Sequence, residues 1–290
     1  MPTRERSIGI ALIALAVGLA GAGASYVLAT KDPLLALDAD QCPRSPTGAA
    51  FALVDGTDVW PAIEQQRIHK SILGIAERMH KNERLVLFTI TARSEDASTP
   101  WRGFQRCKSA DPAAINPLSG NERIERADYE RQFLGPLDDV LPDLLKGRSA
   151  PQSPILEVIE RLMWSAHFRA DLPKRTLAIN SDLLQHTSAL SHLSGPLRNA
   201  CAVLASPIGQ RLKGHDWRGV RVMLEYLRNP RDAARQGREH FKFWVELFYR
   251  LGAAEVFDGT TSVPNRLVPC PSPSLGQRTK SRERANASSI

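Results

Sequence analysis

The 290-residue chain lacks several sequence signatures that would assign a function directly. It has no GxxxxGK(S/T) or GxGxxG segment, the glycine-rich turns that hold nucleotide phosphates. It also has no GxSxG segment, which carries the nucleophile of many serine hydrolases. These absences exclude the nucleotide-binding and serine-hydrolase classes that depend on those segments.

Cysteine is also rare, with four in the chain: Cys42, Cys107, Cys201 and Cys270. No two of them have CxxC spacing, and no histidine lies near a cysteine at the spacing of zinc ligands. This spacing therefore argues against a structural zinc site.

One long hydrophobic run lies near the N-terminus. Residues 8–29 contain no ionisable side chain except that of Tyr26, and about 20 such residues span the hydrocarbon of a bilayer. Arg4 and Arg6 precede the run, whereas the first charges after it cancel, so the N-terminus is expected to be cytoplasmic. Residues 1–30 are thus predicted to anchor a single-pass protein in the inner (cytoplasmic) membrane, with its main domain exported.

The same run also fits a cleaved signal peptide, because Ala22, Gly23 and Ala24 match the small-residue cleavage pattern. Both alternatives export the residues that follow, of which 31–48 are predicted to form a linker. In an oxidising compartment four cysteines allow three disulfide connectivities, which their spacing does not separate. Cys42 with Cys107 is the favoured pair, because both lie in loops beside predicted strands; four free or buried thiols are the alternative.

The formal net charge of the chain is +7, and less than half of it belongs to the long stretch between the hydrophobic run and the C-terminal residues. Residues 276–290 contribute +3 and the residues before the hydrophobic run +1, which leaves +3 for the long stretch between them. So small an excess does not make the basic surface that nucleic-acid binding requires, and no nucleic-acid partner is expected. Residues 260–290 are predicted to be a disordered basic tail.

Apolar runs alternate with amphipathic segments through the exported part. Strands are predicted at 51–54, 85–90, 176–180 and 220–227. Helices are predicted from Pro61, over 133–145, from Pro154 with Ser153 as N-cap, and around Trp244, whose apolar stripe should pack on a sheet. Residues 94–128 are predicted to be a surface loop. This order predicts an α/β fold over residues 49–259, with a mostly parallel Rossmann-like sheet and helices on both faces.

Polar side chains follow these strands where each one ends. The first strand leads into Asp55, Thr57 and Asp58, and the third into Ser181 and Asp182. Ser153, at the start of a helix, adds a hydroxyl. Carboxylate and hydroxyl oxygens that converge from separate loops suit a hard cation such as Mg²⁺ or Mn²⁺. The alternative is that Asp55 and Asp182 only accept hydrogen bonds from backbone amides at loop ends.

Together these residues resemble the von Willebrand factor A-like (vWA) family and its metal-ion-dependent adhesion site, in a bacterial membrane-anchored form. In that family a DxSxS motif follows the first strand, a Thr or Ser opens a later helix, and an Asp follows the fourth strand. The resemblance matches Asp55 to the first Asp, Thr57 to the first Ser, Ser153 to the helix hydroxyl and Asp182 to the later Asp. It implies metal ligands at these positions and a protein partner that binds the cation through an acidic group.

The chain departs from the family pattern at three positions. Val59 stands where the second Ser of DxSxS belongs, Leu183 replaces the Gly after the later Asp, and Asp58 is additional. A different class would use the same strand end for catalysis. Haloacid-dehalogenase-like phosphatases carry DxDx(T/V), with the first Asp as nucleophile. Here the second acid falls one residue late, and a metal-dependent phosphatase-like hydrolase using Asp55 is the alternative function.

Overall fold

The computed structural model describes residues 13–19, 21–22, 37–94, 103–110 and 121–270 of the chain. Its centre is a seven-stranded sheet with the order β3-β2-β1-β4-β5-β6-β7. The strands are β1 Gly48–Asp55, β2 Glu83–Ile90, β3 Gln105–Cys107, β4 Arg175–Ser181, β5 Val220–Tyr226, β6 Glu255–Asp258 and β7 Thr261–Val263. All pairs are parallel except the two at the edges, where β3 and β7 run antiparallel to their neighbours.

Helices lie between the strands in sequence. They are α1 Ala62–Arg78, α2 Glu122–Tyr129, a π-helical turn Glu130–Leu134, α3 Gly135–Leu144, α4 Ile155–Met163, α5 Ala200–Leu204, α6 Pro207–Lys213 and α7 Arg238–Leu251. The four predicted strands and the four predicted helices are all present at or near their expected positions. The α/β class and the mostly parallel sheet are therefore confirmed.

The sheet is covered on both faces because its central strands alternate between two cores. From β1, Ala50, Ala52 and Val54 pack with α1 and α3, whereas Phe51 and Leu53 pack with α4 to α7. All eight residues of β1 are buried, as expected for a parallel strand between two layers of helices. The expected packing of the helix around Trp244 is confirmed, since Trp244 is fully buried in the second of these cores.

The predicted surface loop over 94–128 is only partly correct. Within the described residues of that stretch, 105–107 form β3 and 122–129 form α2. Helix α2 begins where the Asn121 side chain accepts hydrogen bonds from the N–H groups of Arg123 and Ile124. Its sequence is mostly charged and buries only Tyr129, so it lacks the apolar stripe that predicts a helix.

The sheet also extends past the predicted domain limits. Strand β7 lies within the segment assigned to the tail, where its residues pair with β6. At the other end, residues of the predicted linker are attached to the sheet: the carbonyl of Asp40 accepts from the N–H of Cys107, and Asp38 forms an ion pair with Arg84 at 3.1 Å. Residues 271–290 of the predicted tail lie outside the described residues.

All four cysteines form disulfides. Cys42 is bonded to Cys107, which confirms the favoured pair, and Cys201 is bonded to Cys270. The first bond joins the segment before β1 to β3. The second joins α5 to the segment that follows β7.

The predicted membrane segment, residues 8–29, falls mostly outside the described residues. Of these, 13–19 and 21–22 are described and are helical. No helix in the described part of the chain is long and apolar enough to cross a bilayer.

Candidate functional site

The carboxyl ends of β1 and β4 lie side by side at the centre of the sheet. From β1 the chain crosses to β2 on one side and later returns to β4 on the other, so the strand order changes direction between β1 and β4. Open parallel sheets form a crevice at the carboxyl edge at such a point, and ligands bind there. Asp55 ends β1 and Ser181 ends β4. The fold therefore places both residues where a ligand is expected.

Asp55 is fully buried, and both oxygens of its carboxylate accept hydrogen bonds. Oδ1 accepts from the N–H of Thr57 at 3.0 Å and from its hydroxyl at 2.6 Å. Oδ2 accepts from the hydroxyls of Ser181 at 2.6 Å and of Ser153 at 3.4 Å. Three hydroxyls from three separate segments thus converge on one carboxylate. Such donors are required, because burying an ionised group without partners is very unfavourable.

Ser153 reaches Asp55 because the segment before α4 pairs with the loop after β4. The N–H of Ser153 donates to the carbonyl of His186, and the N–H of His186 donates back to Ser153, both at 2.9 Å. The prediction that Ser153 caps α4 is wrong. Pro154 is the N-cap residue and no side chain caps the helix, since the Ser153 hydroxyl is directed at Asp55 instead.

Asp182 lies next in sequence to Ser181 but makes separate contacts. It is buried, with Oδ1 accepting from the N–H of Leu184 at 2.9 Å and Oδ2 from Nδ2 of Asn229 at 2.7 Å. Burial and, after it, the negative charge of Asp55 raise the pKa of Asp182 to about 7. The Asp55 and Asp182 carboxylates are both buried, and the charge of the first raises the pKa of the second. Such a pair favours a shared compensating positive charge, either a proton or a cation.

Leu183 occupies the position where the vWA pattern has glycine. Its φ of 60° lies in the left-handed region, and its side chain is fully buried. A residue other than glycine in this conformation costs about 1–2 kcal/mol. The turn after β4 therefore keeps the backbone form that glycine would favour, and the burial of the leucine side chain offsets that cost.

Asp58 lies half-buried on the outer side of the same edge. Burial first, and then the charge of Asp55, raise its pKa, whereas a hydrogen bond from Asn229 and the charge of Arg231 oppose the increase. Asn229, which donates to Asp182, thus also lowers the pKa of Asp58. Val59 is 60% exposed, so the position of the missing serine faces solvent.

Residues 147–150 lie across the end of β1. The N–H of Arg148 donates to the carbonyl of Gly56, and that of Ala150 to the carbonyl of Thr57, both at 2.9 Å. Gly147 is required here, since a Cβ at this position would lie 1.6 Å from the carbonyl oxygen of Asp58. Residues 147–150 thus form a covering loop over the segment that follows Asp55.

The structure brings three of the four predicted ligands into direct contact. Asp55, Thr57 and Ser153 are hydrogen-bonded together, whereas Asp182 is held by other partners. Sequence reasoning missed the contact from Ser181 to Asp55 and the contribution of Asn229. The position of Ser181 at the end of the same predicted strand was the available signal.

The oxygen atoms of this cluster have the chemistry that Mg²⁺ and Mn²⁺ prefer, so the donor set fits a hard cation. Among the described residues no group of three or more His, Cys, Asp or Glu side chains is close enough to hold a metal ion. Any cation here would thus depend on hydroxyl oxygens as well as carboxylates.

The alternative function, a phosphatase with Asp55 as nucleophile, depends on the accessibility of Asp55. A nucleophilic carboxylate must reach the phosphorus atom of its substrate. Asp55 is fully buried with both oxygens engaged, and Thr57 occupies the place of the second acid. Attack by Asp55 would therefore require these hydrogen bonds to break and the site to open.

No protein-family model matches this chain, and no curated protein matches its sequence.

Proposed function

We propose that this chain is a membrane-anchored, exported vWA-like domain that binds a protein partner at the carboxyl edge of its sheet. A divalent cation, Mg²⁺ or Mn²⁺, held at that edge takes part in binding. The observation that supports this proposal is the convergence of the Thr57, Ser153 and Ser181 hydroxyls on the Asp55 carboxylate, at the point where the strand order changes direction.

The residues that would hold the cation are Asp55, Thr57 and Ser153, with Asp182 as a second carboxylate. When bound, the cation would supply an electrophilic centre for an acidic group of the partner. Asp55 fixes the positions of the hydroxyls, since it accepts from each of them. Asp182 adds the negative charge that makes the edge attractive to a cation, and a cation would favour its ionised form.

Ser181 offers a replacement for the hydroxyl that Val59 cannot supply. In the vWA pattern the second Ser of the motif follows the first strand, whereas here a third hydroxyl comes from the end of β4. Its oxygen lies 2.6 Å from Asp55, as close as that of Thr57. The proposal thus assigns Ser181 to the site in place of the missing serine.

The disulfides support export. All four cysteines are paired, and disulfides form and persist mainly in oxidising compartments. The hydrophobic run before the domain supplies the anchor in this proposal. Arg4 and Arg6, which precede the run, favour a cytoplasmic N-terminus.

The cation is tested by thermal unfolding of the full chain in lipid nanodiscs, with increasing Mg²⁺ or Mn²⁺. Stabilisation should grow with metal concentration, reaching about 2.7 kcal/mol at one hundred times Kd. Asp55→Asn and Thr57→Val should remove the increase. Asp138→Asn is the matched control, since it makes the same charge change at a side chain that is 56% exposed.

Direct binding is checked by the electron paramagnetic resonance signal of Mn²⁺, which does not depend on the stability of a variant. Wild type should reduce the free Mn²⁺ signal, and Thr57→Val should restore it. An unchanged melting temperature and an unchanged Mn²⁺ signal at millimolar metal would rule out the cation.

The partner is tested by a photo-crosslinking amino acid placed at Val59, which is exposed at the proposed binding edge. A crosslinked adduct should form in native membranes with Mg²⁺ and disappear with EDTA. The same probe at Trp164, which is 75% exposed at the far end of α4, is the control. An adduct that forms equally with EDTA would show that the partner binds without the cation, and the absence of any adduct would contradict the proposed edge.

A further inference from the structure

A separate groove lies beside α7, between this helix and residues 263–267. Its volume is about 490 Å³, within the range of small-molecule sites. Phe241, Val245 and Tyr249 form its floor, at a helical spacing of four residues. Val263, Pro264 and Leu267 form the opposite wall. The groove is therefore an apolar channel between the last helix and the segment that follows β7.

That wall, the C-terminal strap, comprises residues 263–270. The Tyr249 hydroxyl donates to the carbonyl of Val263, and the Arg250 guanidinium donates to the carbonyl of Val268. At its end, Cys270 is bonded to Cys201 in α5. The strap is thus fixed to the domain at three points, and the groove does not depend on a loose chain end.

The polar groups at the groove are mainly cationic. Arg238, Lys242 and Arg266 line it, and its one acid, Glu246, is already paired with Arg250 at 2.7 Å. Lys242 makes only a long contact of 3.8 Å with the exposed Glu239. Within the described part of the chain, Arg238 and Arg266 form no ion pair. The groove therefore combines an apolar floor with two positive charges, those of Arg238 and Arg266, that no ion pair among the described residues neutralises.

We propose that this groove binds an amphipathic monocarboxylate, a molecule with a single apolar chain and one carboxylate, such as a medium-chain fatty acid. The chain would lie on Phe241, Val245 and Tyr249, and the carboxylate would pair with Arg238 or Arg266. Charge decides the class of occupant: a basic segment such as residues 276–290 would be repelled, whereas an anion gains charge-assisted hydrogen bonds to arginine. This site is independent of the one at Asp55.

Octanoate is the probe, with octanamide as the uncharged analogue of the same shape. Binding to the full chain in phosphatidylcholine nanodiscs is measured by isothermal titration calorimetry, with empty nanodiscs as the blank. One equivalent of octanoate should bind, at least tenfold more tightly than octanamide. The double substitution Arg238→Gln and Arg266→Gln should weaken octanoate at least tenfold and leave octanamide unchanged.

Arg123→Gln with Lys213→Gln is the matched control. It also removes two positive charges, but at exposed positions outside the groove, and it should change the affinity for octanoate less than twofold. Equal losses in the two double variants would show a general charge effect and overturn the site, as would the absence of saturable octanoate binding. Binding to phosphatidylglycerol vesicles that depends on Arg238 and Arg266, without binding of free octanoate, would also overturn it, in favour of a membrane surface.

The location is tested with an octanoate that carries a diazirine at its chain end. Labelled peptides should contain residues 241–249, and excess octanoate should prevent the labelling. Cys201→Ser with Cys270→Ser releases the end of the strap without changing a lining residue, and it should lower octanoate affinity. Labelling confined to other parts of the domain would contradict the groove as the site.

Discussion

The Ser181 hydroxyl donates to Oδ2 of Asp55 at 2.6 Å, and this bond joins the ends of the two central strands. The two residues are 126 positions apart in the sequence. The register of the sheet brings them together: Val54 is paired with Asn180, so the residues that follow, Asp55 and Ser181, lie side by side. The same hydroxyl also accepts from the N–H of Leu183 at 2.8 Å, and it thereby fixes the turn that carries Asp182.

Ser181→Ala should lower the free energy of unfolding by about 1.5–3 kcal/mol, because a buried charge loses a donor. Urea unfolding measures this change. Ser149→Ala, at an exposed serine whose side chain makes only a 3.5 Å contact with Arg231, should change stability by less than about 0.5 kcal/mol. Equal effects in the two variants would show that the bond to Asp55 contributes no stability.

Some residues of the site could be predicted from the sequence and others could not. Asp55, Thr57 and Asp182 could be predicted, because each lies within three residues of the end of a buried apolar run and such runs end at one edge of a parallel sheet. Asn229 could not be predicted, since its contact with Asp182 spans 47 residues and depends on how the loop after β5 folds back. The direction of the Ser153 hydroxyl depends on pairing with His186, which no local pattern specifies.

Some strands of the sheet could likewise be predicted from the sequence and others could not. The four central strands are seven or eight residues long and rich in apolar residues, so their sequences predict them. Strands β3 and β7 are three residues long, too short for a pattern to be detected, and they lie at the edges of the sheet. Their position is fixed by pairing with longer neighbours and, for β3, by the bond between Cys42 and Cys107.

The covering loop gives a second prediction. Gly147→Ala places a Cβ against the backbone of Asp58, so the loop must shift and its hydrogen bonds to Gly56 and Thr57 should weaken. Stability should fall by about 1–3 kcal/mol, and hydrogen exchange at the Arg148 and Ala150 amides should accelerate.

Gly74→Ala is the control for that variant. Position 74 lies inside α1, where the nearest atom to a new Cβ is the flexible guanidinium of Arg78 at 3.2 Å. Alanine favours a helix by up to about 1 kcal/mol over glycine, so this variant should be as stable as wild type or more so. Unchanged amide exchange in Gly147→Ala would mean that the covering loop accommodates the methyl group without opening.

The disulfides give a third prediction. Each closes a long loop, of 65 residues for Cys42 with Cys107 and of 69 for Cys201 with Cys270. By the entropy of loop closure, removing either pair by double serine substitution should lower the free energy of unfolding by up to about 4 kcal/mol. Urea unfolding without reductant measures each loss, and wild type in reductant should lose stability as well. A loss below about 1 kcal/mol for both pairs would show that the unfolded chain is already restricted without them.

A buried chain of neutral rings connects Tyr226, His240 and His192. The Trp244 indole N–H donates to the carbonyl of Leu183 at 3.0 Å and lies 3.4 Å from Nε2 of His240. Nδ1 of His240 is hydrogen-bonded to the Tyr226 hydroxyl at 2.7 Å, and Nε2 of His240 is hydrogen-bonded to Nδ1 of His192 at 3.0 Å. One of these two facing nitrogens must be unprotonated to accept the bond, so at least one ring is neutral. Burial lowers the pKa of His192 to about 3 and that of His240 to about 4.

The stability contributed by these two histidines should therefore be lost in acid. An unfolded histidine binds its proton near pH 6.5, so between pH 6.5 and 4 the unfolded state binds more protons, and stability should fall with pH by up to about 1.4 kcal/mol per unit for each ring. Asp182 acts in the opposite direction: its pKa is raised to about 7, so the folded state binds its proton first and gains stability as pH falls from 7.

The test compares urea unfolding of wild type and of the His192→Gln, His240→Gln double variant. Both proteins contain Asp182, so the contribution of Asp182 cancels in the comparison. The stability difference between them should shrink from pH 6.5 to 4.5. A difference that stays constant with pH would contradict neutral burial of the two rings.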